Sequence, residues 1–181
     1  MNPFPNFVAG ADGYEVLPRG RYSCSMQDLR EHFAIGRPDE AVRLSHIADL
    51  GDYLSTLSSI GLAVDSVWVD GSFVSTKFNP GDIDCSPVVL GAASNPLPEE
   101  LPHLDTKWIV PKDRWKYEAV PGLGRSVRLD VYGFVMLPDS HPAAPSSKAM
   151  RGHYDEFWQR CRGSGPMTAK GYLEVLLDGT A

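Results

Sequence analysis

The stretch that decides the fold is Val67-Trp68-Val69-Asp70-Gly71-Ser72-Phe73-Val74-Ser75-Thr76-Lys77-Phe78-Asn79-Pro80-Gly81-Asp82-Ile83-Asp84. Val67-Trp68-Val69 reads as a buried strand that Gly71-Ser72 breaks. Asn79-Pro80-Gly81 is a strong turn signal, after which residues 82–90 form a second strand. Side chains two apart on a strand share a face, so Asp82 and Asp84 present two carboxylates side by side. Such a pair is unfavourable unless a cation neutralises it, and oxygen-only donors select Mg²⁺ or Mn²⁺ over zinc. At Gly71 the missing Cβ lets a phosphate approach the backbone, while Ser72 can cap the next turn and donate a hydrogen bond. Two carboxylates near a phosphate-cradling turn point to metal-assisted phosphoryl or nucleotidyl transfer.

On the N-terminal side, residues 1–20 are rich in Pro, Gly and polar groups and read as an irregular arm, leaving 21–181 as one domain. Ser25-Met26-Gln27-Asp28 resembles a capping box and opens a short helix to about Phe33. Pro38 suits the first position of a longer helix, whose apolar residues Ile47, Leu50, Leu54 and Leu57 step by three and four, with Gly61 as its C-cap. On the C-terminal side, residues 91–106 read as a loop, with strand-like stretches at 108–110 and 115–120. The most convincing strand is 126–136; a helix near 149–160 and a last strand over 171–177 follow. The pattern predicts an α+β domain with a small mixed or antiparallel sheet and flanking helices on one side.

The 181 residues carry 17 Lys+Arg against 23 Asp+Glu, a net charge of −6, which excludes an all-over basic nucleic-acid coat. Charge is unevenly spread: residues 1–106 hold 6 basic and 15 acidic side chains, residues 107–181 hold 11 and 8. Three cysteines without CxxC spacing support neither a disulfide framework nor a zinc ribbon and fit a reducing compartment. Met1-Asn2-Pro3-Phe4-Pro5 has no signal-peptide character, and no apolar run nears the roughly 20 residues of a membrane helix. A cytoplasmic protein without membrane attachment is expected.

Gly71-Ser72 followed by Asp82-Ile83-Asp84 resembles the Gly-Ser … Asp-x-Asp signature of the nucleotidyltransferase superfamily, the group with the polymerase β-like fold. Within it, the chain looks most like the small stand-alone bacterial proteins, whose role is mostly unassigned. The resemblance implies a third carboxylate on a later strand. Asp130, in Val127-Arg128-Leu129-Asp130-Val131-Tyr132, is the candidate, 46 residues beyond Asp84. It further implies transfer of a nucleoside monophosphate from a nucleoside triphosphate, ATP among them, to an acceptor with release of pyrophosphate. Asp82, Asp84 and Asp130 would hold Mg²⁺ or Mn²⁺, and Gly71, Ser72 and Lys77 would meet the nucleotide. The acceptor could be a protein, a tRNA end or a small molecule.

Each residue also has a purely structural reading. Asp82 could close the turn after Pro80-Gly81, and Asp130 could pair with Arg125 or Arg128. Lys77 could be a solvated loop lysine, and Cys85 reads as a small buried hydrophobe. The five histidines show no metal-ligand spacing and receive no role. Two basic stretches, Lys107, Lys112, Arg114, Lys116, Arg125 and Arg128, then Lys148, Arg151, Arg160, Arg162 and Lys170, read as solvated faces or as a triphosphate clamp or acceptor surface. In the second case Trp108, Trp115 and Tyr117 would be stacking platforms. The alternative class is a non-catalytic nucleotide-binding or interaction protein with a protein partner, as in a toxin–antitoxin or defence pair.

Overall fold

The structure, a computed structural model, describes residues 4–10, 13–59, 61–92, 127–161 and 169–177. The short helix α1 (Met26–Phe33) starts where the sequence places it. Ser25 Oγ accepts from the Asp28 N–H while the Asp28 carboxylate accepts from the Ser25 N–H, so both halves of the capping box form. Helix α2 runs Glu40–Ser59, two residues later at its start than Pro38 suggests. Helix α3 covers Ala144–Trp158, with Pro145 in its first turn, and begins five residues before its expected position.

The main sheet has the strand order β3-β8-β4-β5-β6 among the described residues, with β7 also on β5. Its strands are β3 (Gly20–Ser25), β4 (Val64–Asp70), β5 (Ile83–Leu90), β6 (Leu129–Val131), β7 (Phe134–Met136) and β8 (Gly171–Leu176). Strand β4 is antiparallel to both β5 and β8, whereas β3 is parallel to β8 and β6 is parallel to β5. The sheet is therefore mixed. The expected strand over 126–136 is two short strands, broken at Tyr132-Gly133, that pair with successive parts of β5. Within the stretch read as an irregular arm, β1 (Val8–Ala9) and β2 (Glu15–Val16) pair antiparallel, and Phe4, Val16 and Leu17 are buried. The expected strands at 108–110 and 115–120 lie outside the described residues.

Alternation along β4 explains why helices cover both faces rather than one. Val67 and Val69 join Leu29, Phe33, Leu50, Tyr53, Leu57, Ile83, Cys85 and Leu129 in the larger core, beneath α1 and α2. Trp68 points to the opposite face and packs with Val88, Phe134, Tyr172 and Trp158 of α3. Polar bonds pin α3 there: Trp158 Nε1 donates to Ser86 Oγ at 2.9 Å, and Tyr172 Oη donates to Asp155 at 2.5 Å. No described helix is long and apolar enough to cross a membrane.

Candidate functional site

Strand β4 ends at Asp70, and a 3₁₀ turn (Gly71–Val74) follows at once. Gly71 has φ +77°, a left-handed conformation that favours glycine. A Cβ built there would overlap the Asp84 carboxylate, whose Cγ would lie 2.7 Å away. The space that the sequence reserves for a phosphate is thus filled by Asp84. Ser72 lies inside the turn rather than capping it; Asp70 holds the cap position and makes no side-chain cap bond. The Ser72 carbonyl accepts from Ser75 Oγ at 2.6 Å.

Asp70 pairs in register with Asp84 across β4 and β5, and Asp84 pairs with Asp130 across β5 and β6. Register-paired residues share a face, so three carboxylates line one row across three adjacent strands, on the α3 side of the sheet. Asp82 sits one residue before β5. Cys85, on the opposite face and fully buried, has its thiol pushed well above the ordinary value by burial, then by the charges of Asp84, Asp130 and Asp82. Asp130 Oδ2 accepts from Tyr132 Oη at 3.0 Å, and the Tyr132 ring is held edge-on by Trp158 at 5.3 Å.

Asp70 carried no role in the sequence, and Lys170 stood there only within a basic stretch. Asp70 is 2% exposed and accepts from Lys170 Nζ at 2.6 Å. Lys170 also donates its backbone N–H to the Gln159 carbonyl, which ties the entry of β8 to the C-terminal end of α3. The signal for Asp70 was a carboxylate closing an otherwise apolar strand immediately before Gly71-Ser72. For Lys170 no spacing links it to a partner 100 residues away.

The loop between β4 and β5 is fixed from below by α2. The Arg43 guanidinium, buried, donates to both Asp39 oxygens at 3.0 Å, to the Phe33 and Phe73 carbonyls at 3.0 and 2.8 Å, and to the Lys77 carbonyl at 2.6 Å. Asp39 Oδ2 accepts from the Asn79 N–H at 2.7 Å, and His46 Nε2 donates to the Pro80 carbonyl at 2.9 Å. Asn79 adopts φ +51°, a left-handed geometry that Asn tolerates. His46 thus has a positioning role that spacing alone did not reveal. Lys77 is exposed, and its backbone belongs to this clamp.

Of the basic stretches, Lys107 to Arg125 and Arg162 lie outside the described residues, as do Trp108, Trp115 and Tyr117. Arg128 is exposed, with its N–H donated to Asp49. Lys148 pairs with Asp139 at 2.8 Å, Arg160 with Glu156 at 3.4 Å, and Arg151 approaches Glu174 at 3.9 Å. These pairs suit a solvated face better than a phosphate clamp.

Among the described residues, no three His, Cys, Asp or Glu side chains converge as a ready-made metal cage. The carboxylates that share one register position are Asp84 and Asp130, oxygen-only, with Asp82 one residue before β5. They suit a magnesium-sized cation, which commonly takes one or two carboxylates and completes its shell with water and substrate phosphates.

No curated protein and no solved structure matches the chain. A family model described as a family of unknown function, DUF6932, matches residues 8–176, and the chain belongs to that family.

Proposed function

We propose that the protein is a metal-dependent nucleotidyltransferase, moving a nucleoside monophosphate from a nucleoside triphosphate to an acceptor with release of pyrophosphate. The observation that carries this reading is the shared register position of Asp84 and Asp130 on adjacent parallel strands, beside the Gly71-Ser72 turn. The resemblance to the nucleotidyltransferase superfamily adds Asp82 as the third carboxylate.

A bound Mg²⁺ or Mn²⁺ would neutralise phosphate charge and hold the attacking and leaving oxygens in line. The chain's own residues do the rest by positioning. Gly71 gives the Asp84 carboxylate its seat, and the Tyr132 hydroxyl orients Asp130 toward the same face. Ser72 would meet the phosphates at the exposed side of the turn, and Asp130 would draw the acceptor hydroxyl toward the reacting phosphorus. Lys77 would take part only through side-chain reach, since its backbone is clamped by Arg43.

The test is a melting-temperature series with Mg²⁺ or Mn²⁺ and each nucleoside triphosphate. Ligand at about 100 times its Kd stabilises by roughly 2.7 kcal/mol, an easily read rise. A rise that needs metal and nucleotide together supports the reading. No rise with any pair contradicts it and favours an interaction protein.

A further inference from the structure

The N-terminal arm grips the β4–β5 loop from the side opposite Arg43. Val16 of β2 bridges antiparallel to Ser75. The Thr76 N–H donates to the Glu15 carbonyl at 2.9 Å, and the Glu15 N–H donates to Thr76 Oγ1 at 2.8 Å. Arg43 reaches the same peptide from α2, donating to the Ser75 carbonyl at 3.4 Å, a longer bond than those to Phe73 and Lys77. The Ser75–Thr76 peptide is thus held at both ends, its C=O by Arg43 and its N–H by the arm. Ser75 passes that hold inward, because its Oγ donates to the Ser72 carbonyl at 2.6 Å and accepts from the Lys77 N–H at 3.1 Å.

The two grips differ in depth. Arg43 is 1% exposed, whereas the bonds between Glu15 and Thr76 lie at the surface. Upstream, the arm is anchored by Phe4, edge-on to Phe33 at 5.2 Å, and by Phe7, 6.0 Å from Phe33 and beneath Arg37 at 5.7 Å. Downstream, the buried Leu17 fastens it to the sheet by accepting from the Gly171 N–H at 2.8 Å. Lifting the arm exposes the side chains of Phe4, Phe7 and Val16, while opening the clamp strands a buried guanidinium. Segments with few buried contacts and surface hydrogen bonds open first.

We propose that the described arm, residues 4–10 and 13–16, is a strap: it closes the outer side of the β4–β5 loop and opens as one unit while the Arg43 clamp stays shut. With the strap lifted, Ser75 to Lys77 lose their outer support, and so does the Gly71–Val74 turn that Ser75 Oγ ties down. Asn79 and Pro80 stay on Asp39 and His46. The N-terminus thereby adjusts the turn after β4 without releasing the Asp82 end of the loop. This inference rests on backbone and packing contacts and stands apart from the nucleotide reading.

The test is NMR-detected hydrogen exchange on the full chain. The Gly10 N–H bonds the Tyr14 carbonyl inside the β1–β2 pair, which is too short to survive once lifted. In wild type the Gly10, Glu15, Thr76 and Lys77 amides should therefore share one protection factor, about tenfold or more below that of Asn79. Phe7→Ala weakens the anchor without entering the loop. It should lower those four about tenfold and leave Asn79 within about twofold. Thr76→Val keeps the side-chain shape and removes the acceptor of the Glu15 N–H, so it should lower Gly10 from the loop side by a similar factor. Should Phe7→Ala fail to fold, wild type and Thr76→Val decide. A single protection factor for all five amides in wild type, Asn79 included, overturns the strap, since arm and clamp are then one unit. Variants that change only the amides of the segment they lie in overturn it as well.

Discussion

The Asp84 carboxylate occupies the space above Gly71 that any other residue's Cβ would need. Glycine at 71 is thus required twice, once by its φ of +77° and once by its neighbour. Gly71→Ala should cost about 1–2 kcal/mol for the left-handed backbone alone. It should also displace Asp84, so nucleotide-dependent stabilisation should disappear even where the variant remains folded. A melt with and without Mn²⁺ and triphosphate separates the two effects.

Arg43 links α2 to the β4–β5 loop through the carbonyls of Phe73 and Lys77. Removing a partner from a buried, hydrogen-bonded ion pair typically costs 3–5 kcal/mol. Arg43→Met, close in volume to the aliphatic part of the side chain, should lose about that much in a urea titration. Loop backbone N–H groups near Lys77 and Asn79 should also exchange faster with solvent.

Asp39 makes the same clamp sensitive to acid. Burial pushes its carboxyl up, but the Asn79 N–H and Arg43 outweigh burial and hold it below its ordinary value of 3.8. A depressed folded-state value means that its contribution is complete above pH 3.8 and is lost as pH falls through the lower, folded-state value. The melting-temperature gap between wild type and Asp39→Asn should stay constant from neutral pH down to about 4 and narrow below 3.8.

The parts of this fold that follow a local period were legible. The turn at Asn79-Pro80-Gly81 and the capping box at Ser25 each depend on neighbours within a few residues. The clamp and the lysine do not. Arg43 reaches residues 30 to 34 positions away, and Lys170 reaches Asp70 across 100, so neither leaves a spacing in the sequence. The single strand expected over 126–136 splits because Tyr132-Gly133 steps aside between two pairings with β5, while every flanking residue keeps strand chemistry. The second helical layer was missed for a related reason. Trp68, flanked by Val67 and Val69, makes β4 apolar on both faces, which a period-two pattern cannot resolve into two cores.

Asp130 separates a ligand role from a structural one. Asp130→Asn keeps an acceptor for the Tyr132 hydroxyl and removes a like charge beside Asp84. Its melting temperature without metal should therefore hold or rise slightly, while nucleotide transfer falls by orders of magnitude. A lower melting temperature with intact nucleotide binding would instead identify Asp130 as an ion-pair partner.

The central claim is that Asp84 and Asp130 hold a divalent cation together with nucleotide phosphates. Isothermal titration of Mn²⁺ into protein with and without a non-hydrolysable nucleoside triphosphate tests it most directly, with Asp84→Asn/Asp130→Asn as the comparison. Saturable binding that tightens at least tenfold with nucleotide, and vanishes in the double variant, is the expected result. Identical heats for wild type and double variant would contradict it.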